Sequence, residues 1–256
     1  MKILNHEKRS AMFTIYAFCK EIDNIGDSFI EKKEKKRKLN NWKKEIKQIF
    51  KKKTNNNLIN SLEKYIKKYK LKKNLFLEII KGVEMDINNR MIVPKKKIFD
   101  IYCYRVAGAV GLLCLCIYQE NNKYSRSFGL KLAKAFQITN ILRDIKEDAS
   151  MGRLYVPKEI LRNLGIKEKN INQIINNQKF HIACQKLANL AELNFKMAEK
   201  ELKLCSRNKL KSAILMMLTY KLLLKKLKER GWKNIETKTK LSFIEKITIF
   251  LKVLIY

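Results

Sequence analysis

Four carboxylates and two amides give the clearest chemical signal in this sequence. In QITNILRDIKEDASMGRLYVP, residues 137–157, Gln137, Asn140, Asp144 and Asp148 recur at spacings of three and four. On a helix such positions share one face, and four residues of rise separate the two carboxylates by about 6 Å. A second pair, Asp23 and Asp27, repeats the DxxxD spacing, with Lys20 and Tyr16 preceding it along the same line. Oxygen donors of this type suit hard divalent cations, Mg²⁺ first and Mn²⁺ as an alternative, usually shared with a diphosphate. A single DxxxD reads first as a solvated acidic helix edge. Two of them alter that reading, because acidic faces can converge across a helical bundle, as metal sites in bundles do. Carboxylates brought together raise one another's pKa unless a cation neutralises them.

The elements that must position these groups are helical. Only 2 Pro and 8 Gly punctuate 256 residues, apolar residues recur at helical spacing, and no sustained period-two alternation marks a sheet. The expected class is all-α. Residues 8–30 form the first helix, with Ala11, Ile15, Phe18, Cys19 and Ile22 as its apolar stripe and the first aspartate pair near its end. Residues 31–41 (EKKEKKRKLNN) read as a solvated connection or helix end. A Lys-rich amphipathic region over 42–70 breaks at TNNN, where an N-cap is available. Residues 71–90 close on GVEMDINNR, and Pro94 marks the next connection. Residues 97–120 contain VAGAVGLL, whose Gly108 and Gly111 each cost about 1 kcal/mol in a helix and so predict close approach of a neighbouring helix or a ligand chain. Tyr102 and Arg105, one turn apart, could aim a hydroxyl and a guanidinium into one cavity. Residues 158–180 read as an Asn- and Lys-rich connection, followed by helices over 181–204 and 208–230. The second carries Met216, Met217 and Tyr220, suited to core or to an apolar tunnel. Residues 241–256 suit either a membrane surface or packing on the bundle.

Composition narrows the function classes. A net charge of +33 invites a nucleic-acid reading, but the surplus is Lys spread along the chain rather than an Arg-rich patch interleaved with aromatics. No nucleic acid partner is expected; weak attraction to an anionic membrane is. The six cysteines include no CxxC pair and sit mostly in apolar runs, as buried core residues of a reducing compartment do. With only His6 and His181, zinc is not expected. MKILNHEKRS lacks the apolar core of a secretory signal, and no uncharged apolar run reaches the length of a membrane span. The expected location is cytoplasmic, including a peripheral position on the inner face of the membrane.

With both acidic motifs placed, the chain resembles the squalene/phytoene synthase family, the head-to-head trans-isoprenyl diphosphate synthases. The matching pieces are KRSAMFTIYAFCKEIDNIGD, GVEMD, YCYRVAGAVGLL and QITNILRDIKEDASMGRLYVP, in the family's order, with a weaker match through Tyr220, Gly231 and LSFIEK. Within the family, RSAMFTIYAFCKEID and ILRDIKEDASMGRLYVP are most similar to the bacterial presqualene diphosphate synthases of the hopanoid pathway. The resemblance implies a single isoprenoid-synthase-type helical domain over residues 1–256 around a central apolar cavity. The family's pattern also implies a helix ahead of KRSAMF, so the expectation is either a start that lies upstream or a cavity short of one wall. It implies Mg²⁺ held by Asp23, Asp27, Asn140, Asp144 and Asp148, with Tyr16, Lys20, Arg105, Gln137 and Tyr220 at diphosphate or cavity and Tyr102 assisting proton removal or steadying a cation. Where the family has Arg, Lys20 supplies a point charge instead of a bidentate grip. The implied reaction joins two farnesyl diphosphates into presqualene diphosphate. The alternatives are phytoene synthesis from two geranylgeranyl diphosphates, and a non-catalytic relative. No GxGxxG-type fingerprint is present, so NADPH is not expected. The oligomeric state stays open.

Overall fold

A computed structural model describes residues 4–49, 56–233, 235 and 239–255, side chains at 254 and 255 excepted. These residues form thirteen α-helices and one π-helical turn. The sole β feature among them is an isolated parallel bridge between Ile92 and Leu154. The all-α expectation holds.

Helix α1 (His6–Asp27) starts where the Asn5 side chain accepts the Lys8 backbone N–H at 2.9 Å. It buries Ala11, Ile15, Phe18, Ile22 and Ile25 and leaves Asp23 and Asp27 on another face of its last turns. The charge run after it is not a connection. It belongs to α2 (Lys32–Gln48), because Leu39, Trp42 and Ile46 supply an inward stripe at helical spacing, and Trp42 meets Phe18 edge-on at 5.5 Å. The lysines occupy the remaining, solvated face. Asn56 then caps α3 (Asn57–Tyr69), accepting from Leu58 and Ile59; Thr54 and Asn55 lie outside the described residues. Helix α4 (Lys73–Ile87) is buried along most of its length.

The run 97–120 folds as α5 (Lys96–Cys103), a π turn (Tyr104–Gly108) and α6 (Ala109–Tyr118). No uncharged run of span length is present, since Lys96, Lys97, Asp100 and Arg105 interrupt Lys96–Tyr118. A stretch within that segment nonetheless reaches a mean hydropathy of 1.7 and is long and apolar enough to cross a membrane by length and composition. Half of it is buried in the protein, against α4 and α7 (Lys123–Arg143), as a core helix would be. Helix α7 also lies along α11 (Phe180–Leu202) and against α12 (Arg207–Arg230). Between α7 and α11 come α8 (Ile145–Ser150), α9 (Lys158–Asn163) and α10 (Ile171–Ile175). The last two were read as connection; Leu161 and Ile174 anchor them in the core. Helix α13 (Phe243–Ile255) packs on α12. All six cysteines are free thiols, with Cys103 and Cys184 buried.

Two glycine contacts set the spacing around the centre. A Cβ on Gly111 would lie 3.2 Å from the Gly129 carbonyl oxygen, so α6 and α7 touch backbone to backbone as VAGAVGLL predicts. A Cβ on Gly26 would lie 2.6 Å from Val83 Cγ1, which holds the end of α1 against α4. Gly26→Ala is therefore expected to cost about 1–3 kcal/mol through overpacking. A circular-dichroism melt checks this, and an unchanged melting temperature would contradict the close approach.

Candidate active site

Gly26 brings the end of α1 to the rim of a cavity of about 730 Å³, which the end of α4, the α7–α8 junction and the chain entering α13 also line. Six carboxylates face it, from Asp23, Asp27, Asp86, Asp144, Glu147 and Asp148. Arg143, Arg153, Lys240 and Lys246 are the cations in its wall, and Val83, Val106, Ile141, Leu223 and Leu241 are among its apolar groups.

The stretch 137–157 is not one helix. Helix α7 stops at Arg143, and Asp144 (φ −107°, ψ 16°) is both its cap and the entry to α8. The Asp148 backbone N–H still donates to the Asp144 carbonyl at 2.8 Å. The one-turn relation between the carboxylates survives the break.

Beyond α8 the chain turns at Gly152 (φ +73°), a left-handed position that glycine adopts freely. It is then stitched to the α4–α5 connection: Val93 N–H donates to the Leu154 carbonyl at 2.8 Å, and Leu154 N–H to the Met91 carbonyl at 3.1 Å. This pins Arg153 and Tyr155, which flank Leu154, at the cavity. Arg153 Nη1 donates to Asp27 Oδ1 at 2.7 Å, and Nη2 to the Gly26 carbonyl at 3.2 Å. Tyr155 Oη donates to one oxygen of buried Asp86 at 2.9 Å and Tyr102 Oη to the other at 3.1 Å, with the two rings stacked at 5.0 Å. Arg143 grips Asp144 with two bonds, 2.8 and 2.6 Å.

These contacts leave the carboxylates short of positive charge. Burial, then Asp144, pushes Asp148 up to about 8. Asp23 keeps access to water through the cavity, yet confinement by the surrounding protein, then Asp27, raises it to about 6. Burial raises Asp86 to about 7 against the pull of Arg153 and the two tyrosine hydroxyls. Arg153 itself loses solvation on burial, but Asp86, Tyr155 and Asp27 outweigh that loss and hold it firmly charged.

Of the residues singled out by sequence, Asp23, Asp27, Tyr102, Gln137, Asn140, Asp144 and Asp148 meet in the cavity wall. Tyr16 is 64% exposed and outside it. Lys20 also lies outside the wall, on the exposed side of α1, but near enough to Asp23 to lower its pKa. Arg105 does not join Tyr102; it donates to Glu78 at 3.0 Å. The π turn adds a residue to its circuit, and Val106 takes the cavity position. Tyr220 is not in the wall; its ring lies tilted against Phe136 at 4.2 Å, and it is close enough to Arg143 to help hold that guanidinium charged. Asp86, Arg153 and Tyr155 were missed as site residues. A signal for Asp86 existed, since Ile79, Val83 and Asp86 place a carboxylate on a buried apolar stripe. Arg153 and Tyr155 depend on the bridge at Leu154, which leaves no spacing pattern.

Among the described residues, no group of three or more His, Cys, Asp and Glu side chains could hold a metal ion by itself. The donor chemistry nonetheless fits one shared with a ligand. The Asn140 side-chain oxygen is buried without a hydrogen-bond partner, and Asp148 and Asp23 are raised by burial and then by like charge in a wall of oxygen donors.

The model of one family, squalene/phytoene synthase, matches residues 1–245. The chain belongs to the squalene/phytoene synthase family. It is a prenyltransferase. Presqualene diphosphate synthase of Zymomonas mobilis subsp. mobilis is 32% identical over 241 residues, 94% of this chain and 82% of that protein. Phytoene synthase 1 of Solanum lycopersicum matches less, at 30% identity over 77% of this chain and 49% of its own length. A crystal structure of a dehydrosqualene synthase in complex with ligand superposes with a TM-score of 0.83 at 22% identity, over all of this chain and 89% of that one, and shows the shared fold.

The charge crowding in this family member has a measurable sign. The folded chain raises the pKa of Asp148 from an ordinary value of about 4, so the native state binds that proton more tightly than the unfolded chain. Its contribution is complete below about pH 4 and is lost as pH rises towards about 8. Asp148→Asn removes the loss and is expected to raise the melting temperature of the metal-free protein by about a few degrees near pH 8, with little change near pH 5. Melts in chelator across that range check it; an equal shift at both pH values would contradict the assignment.

Proposed function

We propose that the chain condenses two farnesyl diphosphates head to head into presqualene diphosphate, with Mg²⁺ as its ion and a cytoplasmic place of work that includes the inner membrane face. The observation that carries this reading is that two carboxylate pairs, from α1 and from the α7–α8 junction, line one cavity. The similarity to a presqualene diphosphate synthase over most of the chain favours the C15 substrate.

Asp23, Asp27, Asn140, Asp144 and Asp148 would hold Mg²⁺ together with the substrates' diphosphates. When bound, the ion offsets the charge that gathers on a departing diphosphate as the allylic C–O bond ionises. The chain's own cations surround the same space. Arg153 and Arg143 pair with Asp27 and Asp144, and Lys240 and Lys246 complete the positive part of the wall. Lys20 and Tyr220 act at one remove, through Asp23 and Arg143. Tyr102 and Tyr155 share Asp86 between them, which fixes both hydroxyls beside the cavity. Apolar groups from α4, the π turn and α12 exclude water from a reacting allylic chain, which water would otherwise trap as an alcohol.

Pure protein incubated with Mg²⁺ and farnesyl diphosphate is expected to give presqualene diphosphate without NADPH. A C40 product from geranylgeranyl diphosphate, with no product from the C15 substrate, would replace this reading by phytoene synthesis. Asp23→Ala and Asp144→Ala are each expected to lower kcat by roughly 100-fold or more. Undiminished turnover in both would remove the carboxylate pairs from the mechanism.

A further inference from the structure

Among the six carboxylates of the cavity wall only Asp86 is buried, at 8% exposure. It stands on the inward stripe of α4. A buried carboxylate needs hydrogen bonds to offset its lost hydration. Tyr102 and Tyr155 supply them, one to each oxygen, at 3.1 and 2.9 Å. Both hydroxyl hydrogens therefore point at Asp86. The phenol oxygens keep their lone pairs, and both tyrosines line the cavity. Such a hydroxyl can accept a proton on its oxygen while it passes its own to the carboxylate behind it.

The charges around Asp86 suit that part. Arg153 favours its ionised form, while Asp27 on α1 and Asp148 on α8 oppose it. Burial outweighs Arg153 and the two hydroxyl bonds and puts the carboxyl at about 7, in the range where a general base serves near neutral pH. In the function proposed above, Asp23, Asp27, Asp144 and Asp148 are committed to the cation and its diphosphates. A carboxylate beside such a cation is a weaker base. Joining two allylic chains through a three-membered ring ends in loss of a proton from carbon, so the reaction needs an acceptor that the cation does not occupy. Departing diphosphate is the competing acceptor.

We propose that Asp86 receives, through Tyr102, the proton that leaves carbon as the three-membered ring closes. The C–H bond breaks and its electron pair closes the ring. Tyr102 Oη takes the proton, and the hydroxyl's own proton passes to Asp86 Oδ2. Water in the emptied cavity takes it on after product release. Tyr155 holds the other oxygen and is a positioning residue. The proposal rests on the head-to-head reading above. It is tested with Mg²⁺ and farnesyl diphosphate carrying deuterium at C1, the carbon that ionises and then gives up the proton. Asp86→Asn is expected to lower kcat by roughly 100-fold at a little-changed KM and to expose a primary isotope effect that the wild type lacks. Adding Tyr102→Phe to it is expected to cost little more, because the two groups act as one unit. Binding of Mg²⁺ with inorganic diphosphate, followed by calorimetry, is expected to match the wild type. Tyr102→Phe alone supplies the isotope test should Asp86→Asn unfold. Wild-type kcat in the folded variant, or a lowered kcat without an isotope effect, overturns the proposal in favour of diphosphate as acceptor and leaves the head-to-head reading standing. Weakened binding of Mg²⁺ with diphosphate overturns it by moving Asp86 into the metal site. No product from the wild type with either farnesyl or geranylgeranyl diphosphate overturns the head-to-head reading itself, and this proposal with it.

Discussion

Mutual repulsion among carboxylates is the constraint on which this structure turns. Six of the chain's 24 acidic residues face one cavity, in a protein whose surface carries a large positive excess. Two arginines answer part of that charge, one at each end of the site. Arg143 is supplied by the helix that ends there, and Arg153 by a loop stitched to a distant connection. The remainder stays unanswered in a buried setting: burial first, and neighbouring carboxylates after it, raise the pKa of Asp148, Asp86 and Asp23, and the side-chain oxygen of Asn140 is unpaired. A cavity of this kind is poised for cations and for the anions that accompany them.

The bundle keeps those charges in place by being stiff next to them. The α1–α4 contact at Gly26 and the α6–α7 contact at Gly111 leave no room for a methyl group without movement of a neighbour. Tyr102 and Tyr155 bond to both oxygens of Asp86 and stack on each other. Irregular backbone sits at the functional edge of this frame: the interruption at Asp144, the π turn after Tyr102 and the left-handed Gly152. Each redirects a side chain towards the cavity or away from it.

Helical periodicity made the helix order and both aspartate pairs legible, because side chains three and four apart share a face whatever the tertiary context. It failed where the backbone departs from the regular helix. A uniform helix puts Arg105 beside Tyr102, and the π turn sends it to Glu78 instead. The charge run at 31–41 read as a connection or a helix end, rather than as the start of a long helix, because its lysines hide a sparse stripe of Leu39, Trp42 and Ile46. Arg153 and Tyr155 enter the site through two backbone hydrogen bonds between segments some sixty residues apart, which no local pattern encodes. Asp86 was the avoidable omission, since a carboxylate on a buried stripe is itself a signal.

The central claim, that crowded carboxylates await a cation shared with diphosphate, is tested most directly by calorimetry rather than turnover. Mg²⁺ with inorganic diphosphate is titrated into the wild-type protein near pH 7 in two buffers of different ionisation enthalpy, with protein-free titrations subtracted. Because Asp148 is largely protonated there, and Asp86 partly so, binding is expected to release protons, seen as a buffer-dependent heat. Binding without proton release, or no binding at all, would contradict the account.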